Sequence, residues 1–353
     1  MKENTKKTIY LGAAAFLFSI VSSLLTMLSV PILPAVFLCA CAGCFALASL
    51  TAPSKLYIVI VPLSILCAFM ITLSWSAAIV SASPFAAGFV IGIFAKKGKS
   101  KTSATLGADV AFGVLMLAGA AVAYFMANKT LAPSSVIASI DKAFDAIGEQ
   151  MKKTLDDVNF YEMYSRVYEM KSGKEEFIST IVKTTLFMVK AIIPGLVISA
   201  LNVISYVSCA FYALACRLTK TEIAIPDGKW KLLPKEPSAW MAVASTGVFI
   251  IFNMFSSSDF ATAVQLASLN LAIILVPPFF VCGINGLVGR FRSPRFKMQA
   301  IVIVVIAAAM AVIMLPAGIL YSAVFIALVG AWDIITLGRI TRMKKNMNKE
   351  DEQ

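Results

Sequence analysis

After Lys190 the chain carries no charged side chain through residue 216, a run of 26 residues. An apolar helix of that length, rising ~1.5 Å per residue, exceeds the ~30 Å hydrocarbon core of a bilayer. It therefore spans with some tilt or with a bend at Pro194-Gly195. It joins a charged segment on one side to a basic loop on the other, and the two face opposite sides of a membrane.

The rest of the chain repeats this theme. Hydrophobic residues make up 59% of the 353 positions and charged residues only 14%, with a mean hydropathy of +0.85. These values mark a polytopic membrane protein and not a soluble domain. The net charge of +12 comes from Lys and Arg in short loops between apolar runs. A nucleic-acid module would instead cluster them on one folded soluble face, so the partner implied is the lipid bilayer and not nucleic acid. There is no histidine, which removes Ser-His and Cys-His nucleophile pairs, HExxH zinc sites and His-based acid–base chemistry. No Walker A, kinase or GxSxG pattern is present, so no enzymatic activity is expected.

Apolar runs at residues 8–30, 35–50, 56–74, 77–95 and 104–127 precede one polar segment, and runs at 190–216, 240–255, 261–284, 299–314 and 317–337 follow it. The fold class expected is all-α, a polytopic transmembrane helical bundle of about ten spans with one extracytoplasmic helical segment. Its parts are an N-terminal membrane bundle at 1–127, an amphipathic cap at 128–189, a C-terminal membrane bundle at 190–337 and a charged tail at 338–353. In the cap, Val136, Ile140, Phe144, Ile147, Met151 and Leu155 recur every three or four positions, the period of an amphipathic helix. A second amphipathic piece, through Phe177, Ile181, Lys183 and Lys190, is expected before the span at 190–216 begins. With the N-terminus in the cytoplasm, 22 of the 31 Lys and Arg residues fall on the inside, which places both termini in the cytoplasm and the cap outside. The membrane expected is a bacterial plasma membrane.

Few side chains at membrane depth carry chemistry. Asp109 and Asp333 are the two carboxylates inside expected spans, and intramembrane ionisable groups are costly enough to be functional candidates. Each lies one to two turns from a helix end, so interfacial water or a nearby Arg or Lys is the structural alternative. A proton- or cation-coupled carrier would use Asp109 or Asp333 as its titrating group. Asn202 and Asn270 offer amides at membrane depth, with interhelical hydrogen bonds as their structural use; Asn253 is a third such amide. Pro194, Gly195, Pro277 and Pro278 are expected helix breaks, as is Pro316, and would open backbone groups that neighbours or a ligand must satisfy. Gly88 and Gly92 form a GxxxG pair suited to close helix approach. Cys39-x-Cys41-x-x-Cys44 lacks the further ligands a zinc site needs and reads as core, leaving no metal or cofactor expected.

Ile193-Pro194-Gly195 leading into a span that ends Ala215-Cys216-Arg217, Trp230 and Pro234 in the next loop, and Gly330-Ala331-Trp332-Asp333 followed by Arg339 together resemble the YybS-like family of bacterial membrane proteins. The chain departs from that pattern in the polar entry Lys235-Glu236-Pro237. The family is remotely similar to the substrate-binding S components of energy-coupling-factor transporters. The resemblance implies a small-molecule binding or transport subunit that docks onto a separate transmembrane and ATPase module. The alternative reading is a membrane scaffold that recruits protein partners in envelope or division processes.

Overall fold

The computed structural model describes residues 2–30, 32–51, 55–166, 173–221, 234–255, 259–313 and 318–350. It is 92% helical, and no strand occurs among the described residues. The helices are α1 (Lys2–Met27), α2 (Leu33–Thr51), α3 (Lys55–Thr72), α4 (Trp75–Lys96), α5 (Lys101–Asn128), α6 (Pro133–Asp157), α7 (Phe160–Ser165), α8 (Lys174–Leu218), α9 (Glu236–Phe255), α10 (Asp259–Arg292), α11 (Lys297–Ile313) and α12 (Gly318–Glu350), with a 3-10 turn at Pro294–Phe296. Among the described residues, eight helices are long and apolar enough to cross a membrane. Shorter apolar helices at Val59–Thr72 and Glu236–Phe252 stand beside them. The expected all-α architecture is thus present, with helices of membrane-crossing length and composition. Trp230, the side chain of Asn253 and Pro316 lie outside the described residues.

Local chemistry sets the helix ends. Ser74 caps α4, where its hydroxyl accepts from the Ala77 amide at 3.5 Å. At the other end the chain leaves α4 through Gly98, whose φ of 61° is in the left-handed region that glycine enters at no steric cost. Two residues on, the Ser100 hydroxyl accepts from the Ser103 amide at 3.2 Å and starts α5.

The chain divides into two compact units, Met1–Ala120 with Gly195–Gln353, and Ala121–Pro194. In the first, α2 is buried almost all round from Cys39 to Ala48, the mark of a helix with neighbours on every face. Small residues make this feasible. A Cβ on Gly88 would lie 2.5 Å from the Ala42 carbonyl oxygen, and one on Gly92 would meet both Ser49 Oγ and the Ala46 carbonyl. The GxxxG pair therefore brings the α4 backbone onto α2, as van der Waals packing between membrane helices requires. Cys41 enters the same core with Ala15, Phe45 and Phe85, and Cys44 packs against it. A further cluster unites Ala239 and Ala242 of α9, Phe279 of α10, and Ala327, Ala331 and Ile335 of α12. There a Cβ on Gly283 would strike the Ile326 carbonyl, and one on Gly330 would strike the Phe279 carbonyl.

In the second unit, Phe144 and Gly148 of α6 pack against α8, where Ile178 and Val182 are buried and a Cβ on Gly148 would sit 2.9 Å from Leu186 Cδ1. Phe160, Tyr161 and Tyr164 gather around the Phe177 ring. Lys190 donates to Asp141 Oδ1 at 2.8 Å, with its ammonium 4.9 Å from the Phe144 ring centre. The α6 periodicity is as the sequence implies, although Ile140 and Ile147 of that stripe point outward.

Two sequence expectations are corrected here. Residues 177–190 and 190–216 are not separate pieces. They form one continuous helix of 45 residues, about 67 Å long at the usual rise. Nor do Pro194-Gly195 or Pro277-Pro278 break their helices, since Pro194 and Gly195 lie inside α8 and Pro277 and Pro278 inside α10. Proline deletes one amide donor and crowds the preceding turn, but packed neighbours hold the helix on either side. For α10 those neighbours are α9 and α12, whose Ala239, Ala242, Ala327, Ala331 and Ile335 share one core with the buried Phe279.

Candidate functional site

The face of α5 opposite its lipid-like stripe carries polar residues at helical spacing. Leu106, Val110, Val114 and Leu117 are exposed, whereas Lys101, Thr105 and Asp109, each four apart, share the other face. That face meets α8. Thr105 Oγ1 and Cys209 Sγ are 3.7 Å apart, and the Lys101 ammonium lies 4.0 Å from the centre of the Tyr206 ring. Farther along, the Ser205 hydroxyl faces the Asp109 carboxylate, yet Asp109 Oδ1 and Ser205 Oγ are both buried without a hydrogen-bond partner. Beyond them the seam turns apolar at Phe112 and at Gly113, where a Cβ would touch Leu201 Cδ1.

Lys101 is only 7% exposed, although its neighbours in sequence are the lysines of a basic loop. It begins α5 and not the loop, and its long stem carries the charge over an aromatic face, a cation–π arrangement. The spacing Lys101-Thr105-Asp109 was the available sequence signal for this row. Ser205, Tyr206 and Cys209 on α8 carried none, because their role depends on a helix about a hundred residues earlier. α2 adds Cys39, whose thiol donates to the Ile204 carbonyl at 3.3 Å, the same carbonyl that accepts from Ser208 Oγ at 2.8 Å.

Asp333 and Asn270 have structural partners. Asp333 receives two hydrogen bonds from Arg290, one from Nη1 at 2.9 Å and one from Nη2, with each side chain 22% exposed. This is a bidentate fork, the strongest geometry for an Arg–carboxylate pair. Gly286 makes room for it, since a Cβ there would lie 2.5 Å from Asp333 Oδ2. Asn270 serves the backbone of α8. Its Oδ1 accepts from the Gly195 amide at 2.8 Å, and its Nδ2 donates to the Leu266 carbonyl at 2.9 Å. An amide next to a helical proline is thereby satisfied by a neighbouring helix, as a low-dielectric setting demands. Asn202 is half-buried one turn before Ser205.

The structure therefore does not gather Asp109, Asn202 and Asn270 around one point. Gly195, to which Asn270 is tied, and Ser205, which faces Asp109, are ten residues apart on α8, about 15 Å along its axis. An apolar cleft among α9, α10 and α12, lined by Thr246, Leu275, Phe279 and Val324, has barely room for one water. Its lining offers little to orient a polar ligand. The α5–α8 seam has the groups for that purpose: an anion, a cation held on a ring, two hydroxyls and a thiol. Comparison of the chain with protein families, with curated proteins and with solved structures finds no match.

Proposed function

We propose that the chain is a multi-pass protein of the bacterial plasma membrane that binds or transports a small molecule, with α5 and α8 forming the site. The carrying observation is the buried pair Asp109 Oδ1 and Ser205 Oγ, neither with a hydrogen-bond partner. Unsatisfied polar groups at membrane depth are costly, and a ligand that satisfies them recovers that cost. About ten crossings, with both termini cytoplasmic and residues 128–189 outside, fit the eight long apolar helices together with the two shorter ones. The YybS-like resemblance and its remote similarity to S components extend this reading to a subunit that works with a separate transmembrane and ATPase module.

Native mass spectrometry of the protein extracted gently from its own membrane tests the reading. A non-lipid small molecule, or an ATPase module, retained by the wild type supports it. The small molecule is expected to be lost from Asp109→Asn and Ser205→Ala while the fold persists. A second reading, a scaffold for protein partners, is favoured by the exposed Ile137, Ile140 and Ile147 on α6. A stoichiometric protein partner without ligand or ATPase would select it.

A further inference from the structure

We propose that Asp109 and Ser205 together hold one monovalent cation, a sodium ion or a proton, between α5 and α8. The inference deepens the function proposed above and rests on the same seam. Its first ground is electrostatic. A carboxylate oxygen buried in this seam with a neutral hydroxyl beside it has no charge to compensate its own, and a bound cation or proton removes that penalty.

The second ground is the conduct of the other hydroxyls. Many helical Ser and Thr side chains here fold back onto carbonyls of their own helix: Thr105 onto Lys101 at 2.9 Å, Ser208 onto Ile204 at 2.8 Å, Thr219 onto Ala215 at 2.8 Å and Thr246 onto Ala242 at 2.9 Å. Such back-bonding is the ordinary way to satisfy a hydroxyl inside a helix. Ser205 Oγ, like Ser64 Oγ and Ser83 Oγ, makes no such bond, and of these it is the one set against the Asp109 carboxylate. Its lone pairs are available to ligate a cation or to accept from a protonated acid.

The third ground is the contrast with Asp333. That carboxylate has its own guanidinium in a two-point fork, so its charge is already answered. The cation nearest Asp109 in sequence along this face of α5 is Lys101, two turns away and held at the Tyr206 ring. Among the described titratable groups, Cys209 of α8 interacts with Asp109, while Lys101 of α5 and Tyr206 of α8 are held against each other farther along the seam. Where α4 packs on α5, at Gly107 and Gly119, it presents Val80, Val90 and Phe94, none of which titrates.

The test uses the full chain in lipid nanodiscs, with thermal melting and infrared difference spectroscopy at neutral pH. Sodium is titrated at constant ionic strength. A sodium site raises the wild-type Tm by about 2 °C per tenfold increase in sodium above its Kd, and that response is flat in D109N and S205A. A proton site gives no sodium response. It gives a carboxylic-acid carbonyl band that is absent in D109N and shifted in S205A, because the hydroxyl partner is lost. If D109N does not fold, the wild type and S205A still report both signals. A sodium-independent Tm together with an ionised Asp109 carboxylate in sodium-free buffer overturns the proposal. A small molecule still retained under those conditions would leave the binding function standing without the cation.

Discussion

Three glycines on one helix make a graded test of how α10 packs. A Cβ on Gly283 would strike the Ile326 backbone carbonyl, which cannot turn away as a side chain does. Restoring ordinary carbon–oxygen contact requires α10 and α12 to separate by about 1 Å. That opens the layer containing Phe279, Ala327 and Ala331, and overpacking of this kind costs about 3 kcal/mol. A Cβ on Gly286 meets only the tips of two side chains, Asp333 Oδ2 at 2.5 Å and Arg290 Nη1 at 3.2 Å. The fork shifts and loses part of its strength, about 1 kcal/mol. A Cβ on Gly289 meets nothing within 4 Å, so replacing glycine by alanine there gains about 0.5–1 kcal/mol of helix stability. With unfolding entropy scaling with chain length, each kcal/mol moves Tm by about 1.4 °C. Thermal melts of the detergent-solubilised protein should then show Gly283→Ala lowest, by about 4 °C, Gly286→Ala slightly below wild type and Gly289→Ala slightly above. A Gly283→Ala melt no lower than that of Gly289→Ala would refute close backbone contact between α10 and α12.

Asn270→Leu leaves the Gly195 amide without its acceptor and should cost about 1–3 kcal/mol, read in the same melt. Asp333→Asn strands Arg290. At 22% exposure of each partner the loss should be about 2 kcal/mol, below that of a fully buried pair, and Arg290→Gln added to it should recover part of the loss. The Lys190–Asp141 pair is more exposed, 37% and 55%, so Asp141→Asn should change stability by less than ~1 kcal/mol. For orientation, a membrane-impermeant maleimide applied to intact cells should label Lys142→Cys but not Lys97→Cys. The reverse labelling would invert the proposed topology.

The long apolar helices were legible because an uninterrupted apolar run of bilayer length reads directly as one helix. Gly88 and Gly92 were legible as packing residues for a similar reason, since a spacing of four places both on one helix face. Partnerships across the sequence were not. Pro194 read as a break because the side chain that satisfies the next amide, Asn270, lies 75 residues away. Asp333 read as a candidate site because its guanidinium, Arg290, belongs to a different helix, though an Arg partner was the stated alternative. Lys101 falls between the apolar runs at 77–95 and 104–127 with the other lysines there, and nothing local distinguishes a lysine that starts a helix and lies over a ring from one in water. Ser205 gave no signal, because what sets it apart is the Asp109 carboxylate that it faces from another helix.

The volume pattern of α2 bears on which substitutions this chain tolerates. Ala40, Ala42, Ala46 and Ala48 are enclosed, while the bulky Leu33 and Val36 are exposed. In a soluble core the large side chains are the ones that resist replacement. Along this helix the order inverts: a saturation mutagenesis scan should find Leu33 and Val36 interchangeable among apolar residues and should find even Ala→Val disabling at 42 and 46. Selection on such a helix acts on what must stay small, so its fingerprint across diverged copies would be a ladder of alanine, glycine and cysteine, with the hydrophobic identities between the rungs drifting freely.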